Sequence, residues 1–233
     1  MYGVWFNALT VIIGGITGCA LRGGIPAKFR STINYGLALC VMVIGISGAI
    51  ETQNVMGVIV SVIIGSILGE ALRIDDGLER IGQFAQSKFS GSDDSFSQGF
   101  VSATLLFCVG AMAVVGSLDA GISGNGDTLM AKSVLDGVSA AIFASTLGPG
   151  VILSAAPMTL YQGGIALLAS QIEPYLTDYM VVELSAVGSV LIIGLSLNML
   201  DILKQRIRVA NMLPAMVVII AYIPLADWLK SLF

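Results

Sequence analysis

Histidine is absent from this 233-residue sequence. That removes imidazole as general acid, base or metal ligand, and with it Ser-His-Asp triads and HExxH zinc sites. Charge is nearly as scarce: charged residues make up 11% of the chain, where a soluble domain carries about 25%. Cys19, Cys40 and Cys108 stand singly inside apolar stretches. They give no support to a disulfide framework or a CxxC metal site, and burial as small hydrophobes is expected of them. No cofactor is called for. No basic patch suggests nucleic acid as a partner. No Lys or Arg precedes Arg22, the reverse of a signal peptide's basic start, so the first apolar run is expected to remain in the mature protein.

What the chain has instead is apolar length. Hydrophobic residues form 56% of it, gathered into runs at Val4–Leu21, Asn34–Ile50, Val55–Leu72, Gly99–Leu118, Leu129–Leu147, Val151–Ser170, Val181–Leu200 and Met212–Leu229. Each approaches the roughly 20 residues that cross a hydrocarbon core of about 30 Å. The expectation is an all-α, polytopic transmembrane helix bundle with about eight spans, forming a single integral membrane domain over 1–233. Between spans three and four, Ile74, Leu78, Ile81, Ala85 and Phe89 recur at helical spacing among Asp75, Asp76 and Glu79. This predicts a short amphipathic helix on the cytoplasmic surface, within a 73–97 segment ending in a polar loop at Ser90–Ser97.

Basic residues set the orientation. Arg22, Lys28, Arg30, Arg73, Arg80, Lys88, Lys204, Arg206 and Arg208 fall in joints on one side, which is nine of the eleven Lys and Arg. The positive-inside rule then puts 22–33, 73–97 and 201–211 in the cytoplasm and both termini outside. The split holds only if 128–170 enters and leaves on one side, as two full spans or as a re-entrant hairpin.

Thr128–Ser170 is the segment around which function is expected. It carries Lys132 and Asp136, a Gly148-Pro149-Gly150 break, Pro157, and Gln162 deep in an apolar run. At about 1.5 Å per residue its arms reach roughly 28 and 30 Å, long enough to cross. Backbone breaks at membrane depth only where protein or a water-lined cavity satisfies it, and broken helices recur at transporter binding sites. Lys132 and Asp136 share a helix face, with Lys132 expected to snorkel to the outer surface. Gln162, Asp136, Lys132, Pro149 and Ser154 are the candidate substrate- or ion-binding residues, with no catalytic set. Ser145, Thr146 and Thr159 offer hydroxyls nearby. Asp119 reads as a loop residue, Asn7 and Asn198 as interhelical ties, and Glu70 with Arg73 as a local pair. Small residues at four-residue spacing (Gly14 and Gly18; Gly57, Ser61, Gly65 and Gly69) read chiefly as helix-packing ridges. TVIIGGITG (Thr10–Gly18) and SVLIIGLSL (Ser189–Leu197) are weakly alike.

SATLLFCVGAMAVVGSLDAG (Ser102–Gly121), KSVLDG (Lys132–Gly137), FASTLGPGV (Phe143–Val151) and SAAPMTLYQGG (Ser154–Gly164) closely resemble the YqgA/YdfK-like family of bacterial inner-membrane proteins, over essentially the whole chain. That family is of unknown function. The resemblance implies a polytopic bacterial membrane protein and supplies no activity, cofactor or site residue. From the residues themselves, the leading expectation is a transporter or channel for a small solute or ion, with the bilayer as partner and a second copy of the chain as a candidate one. The alternative is a non-transport assembly partner or sensor. Without His, GxSxG or paired intramembrane carboxylates, an enzyme is not expected.

Overall fold

The computed structural model describes residues 1–24, 26–89 and 95–230. Most of the expected polar loop, 90–94, lies outside them. Among the described residues the chain is helical apart from short joints, with no strand. The helices are α1 (Tyr2–Arg22), α2 (Ala27–Ala49), α3 (Val55–Leu72), α4 (Ile74–Phe89), α5 (Ser95–Cys108), α6 (Ala111–Ile122), α7 (Asp127–Leu147), α8 (Gly150–Leu153), α9 (Ala155–Leu167), α10 (Ala169–Ile172), α11 (Asp178–Leu200) and α12 (Ala215–Lys230). Six stretches are long and apolar enough to cross a membrane: α1, Ser31–Ala49 of α2, α3, Gly150–Leu167 across α8 and α9, α11, and Val209–Ala226. The bent pair α5 and α6 makes a seventh if counted as one.

The run Gly99–Leu118 reads as one straight helix in the sequence, and the structure breaks it. Its halves meet at 61°, with Gly110 at φ 122°, a conformation that glycine adopts without strain and other residues do not. The second break falls where the Gly-Pro-Gly predicts it. Gly148 ends α7 at φ 84°, and a Cβ on Gly150 would stand 1.9 Å from the Phe96 carbonyl oxygen. The break therefore lets α5 approach the hairpin closely.

Small residues decide which helices meet. A Cβ on Gly14 would lie 2.1 Å from the Gly137 oxygen, and one on Gly18 2.2 Å from the Ala141 oxygen. Gly3 faces Leu129, so α1 and α7 run parallel, side by side over their lengths. Helices α8 and α9 return antiparallel to α1, with Gly15 against Ile152 of α8 and Asn7 against Met158 and Gln162 of α9. On the other ridge, Gly57, Gly65 and Gly69 meet Tyr222, Ala215 and Asn211. These contacts are the close backbone approach that small residues provide in helix packing. The similar stretches in α1 and α11 are used differently: α1 lies along α7 and α9, α11 against α2 and α12.

Helix α4 docks onto the joint between α11 and α12. Arg206 donates to Asp75 at 2.6 Å and Glu79 at 2.9 Å, and Arg208 donates to Glu70 at 3.0 Å. Asn211 bridges the Asp75 N–H and the Glu70 carboxylate, both at 2.7 Å. Two expectations are corrected here. Glu70 pairs across the fold with Arg208 rather than locally with Arg73, which adopts a left-handed cap at φ 52°. Asp75, which a surface amphipathic helix with the stripe Ile74, Leu78 and Ile81 inward would turn to solvent, is buried instead. That burial pushes its carboxyl above the ordinary range, while the Arg206 guanidinium pulls the other way.

Candidate functional site

Where α1, α7 and α9 meet, four polar side chains are closed off from the surface. Asn7 and Gln162 are 0% exposed, Lys132 6% and Asp136 7%. Lys132 donates to Asp136 one turn further along α7, forming a salt bridge. The expected snorkelling of Lys132 does not occur. Its i,i+4 partner holds the ammonium inside, where an unpaired charge would be prohibitive.

Asn7 is the centre of the cluster. Its Nδ2 donates to Asp136 Oδ2 at 3.0 Å and to Gln162 Oε1 at 3.2 Å, with Met158 Sδ at 3.6 Å. The charge on Asp136 orients the rest: a carboxylate only accepts, so the Asn7 amide must turn its nitrogen toward it. Gln162 must then show its oxygen to that nitrogen. Asn7 Oδ1 and Gln162 Nε2 are left buried with no hydrogen-bond partner. An unmet buried polar group costs about 1–3 kcal/mol, so two adjoining ones are a substantial concession in stability. Asn34 Oδ1, Ser61 Oγ and Thr104 Oγ1 are also unmatched, but they sit singly, on α2, α3 and α5. Cys108, at the broken end of α5, lies within electrostatic reach of Lys132 and Asp136.

Of the residues singled out from the sequence, Gln162, Asp136 and Lys132 come together. Pro149 and Ser154 do not join them. Pro149 lines an apolar groove of about 840 Å³ with Trp5, Leu9, Ile12, Phe96 and Leu160, and none of the cluster's side chains borders it. Ser154 donates to the Val151 carbonyl at 2.6 Å. Ser145, Thr146 and Thr159 likewise donate to carbonyls of their own helices, the usual fate of hydroxyls in apolar helices. Asp119, expected in a loop, lies in the last turn of α6 and accepts from Thr128 in the first turn of α7 at 3.5 Å. Asn198 clasps Ile207 through both its backbone groups, at 2.7 and 2.8 Å.

Sequence reasoning passes over Glu183. It is 0% exposed and accepts from Thr52 Oγ1 at 2.5 Å and from the Gln53 N–H at 2.7 Å. An acidic residue inside the run Val181–Leu200 is the signal that could have found it. Its partners satisfy it, and it pins the joint between α2 and α3 to α11. Among the described residues no group of three or more His, Cys, Asp and Glu side chains is placed to hold a metal ion.

The comparisons with known proteins fit this apolar helical architecture. A family model described as "Protein of unknown function (DUF554)" matches residues 2–223. The chain is 31% identical to "Uncharacterized protein YqgA" of Escherichia coli (strain K12), over 92% of each. It is 28% identical to "Uncharacterized membrane protein YdfK" of Bacillus subtilis (strain 168), over 94% of this chain and 93% of that one. No solved structure matches.

Proposed function

We propose that this chain, which belongs to the DUF554 family of proteins of unknown function, is a bacterial plasma-membrane transporter or channel for a small solute, with its site at Asn7, Lys132, Asp136 and Gln162. One observation carries the reading: two buried amide atoms, Asn7 Oδ1 and Gln162 Nε2, lack partners beside a buried ion pair. A pair kept only for anchoring gains little from such surroundings. A buried salt bridge roughly breaks even at best, and buried polar groups in native proteins are nearly always satisfied. Charged and polar groups inside membrane segments mark solute and ion paths by default. The break in α5–α6 beside the pair adds the interrupted-helix pattern of transporter sites.

The topology that accompanies this reading has eight spans. Composition alone leaves α7 out, because Asp127, Lys132 and Asp136 lower its hydropathy. Its alignment with α1 from Gly3–Leu129 to Gly18–Ala144 supports a full crossing, with α8–α9 returning. Both termini then lie outside, and α4 sits on the cytoplasmic surface. Cysteines introduced one at a time at Glu173 and Gln205, in a chain lacking Cys19, Cys40 and Cys108, are expected to be labelled from outside and from the cytoplasm respectively. Labelling of position 173 from the cytoplasm alone would rule this arrangement out.

The second reading, an assembly partner or sensor, draws on Ile81 and Phe84 of α4, which are 56% and 63% exposed. Uptake into proteoliposomes separates the two. With a panel of small metabolites and ions, wild type is expected to move at least one solute faster than protein-free vesicles. Gln162→Leu should lose about tenfold of that rate, the equivalent of one hydrogen bond, while unfolding within a few degrees of wild type. Equal rates in wild type, variant and empty vesicles would favour the assembly reading.

A further inference from the structure

We infer that the solute is a small uncharged molecule carrying both a hydrogen-bond donor and an acceptor, of the amide, urea or polyol class, held between Asn7 Oδ1 and Gln162 Nε2. The inference rests on the transport reading above and goes on to name the class of solute.

The charge balance comes first. Lys132 and Asp136 neutralise each other on one helix, and among the described residues no third charged side chain is bonded to them. A cation, an anion or a zwitterion would find its counter-charge only by tearing that pair apart in an apolar surrounding, which is strongly unfavourable. An uncharged solute leaves the pair intact.

The unmatched atoms then describe the ligand's other half. Asn7 Oδ1 accepts and Gln162 Nε2 donates, so the complementary molecule offers one donor and one acceptor. The two amides are joined at 3.2 Å through Asn7 Nδ2 and Gln162 Oε1. Adding the width of each amide from standard bond lengths puts the unmatched ends within about 8 Å of each other, the reach of one small solute. A site with both amides 0% exposed is occluded, so one helix must move to admit a solute. Helix α9 is the looser side at the level of the cluster: a methyl added at Gly164 would meet nothing within 4 Å and one at Gly163 only Val4 Cγ1 at 4.0 Å, whereas α1 and α7 are locked backbone to backbone along their lengths. Nearer its end α9 is held too, since a Cβ on Gly121 of α6 would stand 2.1 Å from the Ala166 oxygen.

The test uses the full chain in proteoliposomes, with urea, acetamide and glycerol as neutral probes, and potassium, chloride and glycine as charged and zwitterionic ones. Flux is read by light scattering, with and without a potassium diffusion potential. Neutral probes are expected to cross about tenfold faster than through protein-free vesicles, with no response to potential. Gln162→Met should remove that gain, a loss equivalent to one hydrogen bond. Thr159→Val, whose hydroxyl serves its own helix, should leave it unchanged. Should Gln162→Met fail to fold, wild-type urea flux must still saturate and be slowed by acetamide; flux that does neither overturns the inference. Potential-dependent ion flux, or glycine flux, without neutral flux overturns the inference and leaves the transport reading standing. If no probe crosses faster than through protein-free vesicles, both fall.

Discussion

Asp136→Asn is expected to destabilise the protein by about 3–5 kcal/mol, because it leaves the Lys132 ammonium buried without its counter-charge. For a chain of this size that corresponds to a drop in melting temperature of order 10 °C in detergent. Glu79→Gln is the comparison. Its carboxylate meets Arg206 with side chains 38% and 50% exposed, and a solvent-screened pair of this kind is worth about 0–1 kcal/mol. The double change Lys132→Met with Asp136→Leu should recover most of the lost stability, since apolar replacement of a whole buried pair is often neutral or better. It should not recover transport, because Asn7 then loses the carboxylate that orients it. A double variant that is as stable as wild type and moves solute normally would mean that the pair neither anchors nor serves the site.

Gly18→Val is expected to be as damaging, by a steric route. Any Cβ there stands 2.2 Å from the Ala141 carbonyl oxygen and 2.8 Å from Ala144 Cβ. The first clash is with backbone, so no side-chain rotation relieves it, and α1 must part from α7. Overpacking of this kind costs about 1–3 kcal/mol or more. The loss extends to the site, because the same helix pair carries Asn7 and Asp136, which must stay at 3.0 Å. Gly36→Ala in α2, where nothing lies within 4 Å of the added carbon, should be neutral or slightly stabilising through helix propensity. Thermal unfolding and solute flux of the two variants, measured side by side, check both halves. A Gly18→Val protein with wild-type melting and flux would mean that α1 and α7 do not pack at this distance.

The helices are legible in the sequence because each is a local property. A run of about twenty apolar residues is long enough to span, and five of the eight runs lie along a single helix, overrunning it by at most one residue, while Gly99–Leu118 and Val151–Ser170 are divided and Met212–Leu229 opens in a 3-10 turn. The stripe Ile74, Leu78, Ile81 likewise falls on α4. The glycine ridges mark helix faces but not their partners: nothing in Gly14 and Gly18 names α7 rather than α2. Lys132 and Asp136 pair as expected because i,i+4 is a helix rule. Asn7 ranks low in the sequence because its partners lie 129 and 155 residues away. The bend at Gly110 is hidden there, since a lone glycine in an apolar run reads equally as a packing residue. Arg206, Arg208 and Asn211 reach α3 and α4 across more than a hundred residues, and composition records only that they are basic or polar.

A solute site at Asn7, Lys132, Asp136 and Gln162 must open, whereas a sealed structural knot need not, and thiol accessibility at position 162 separates the two most directly. Gln162→Cys, in a chain lacking Cys19, Cys40 and Cys108, is exposed in proteoliposomes to a small water-soluble thiosulfonate from each side in turn. The expected result is reaction from at least one side, slower than at an exposed Gln205→Cys control and slowed further by a permeant solute. No reaction from either side under native conditions, with full reaction once the protein is unfolded, would contradict the transport reading.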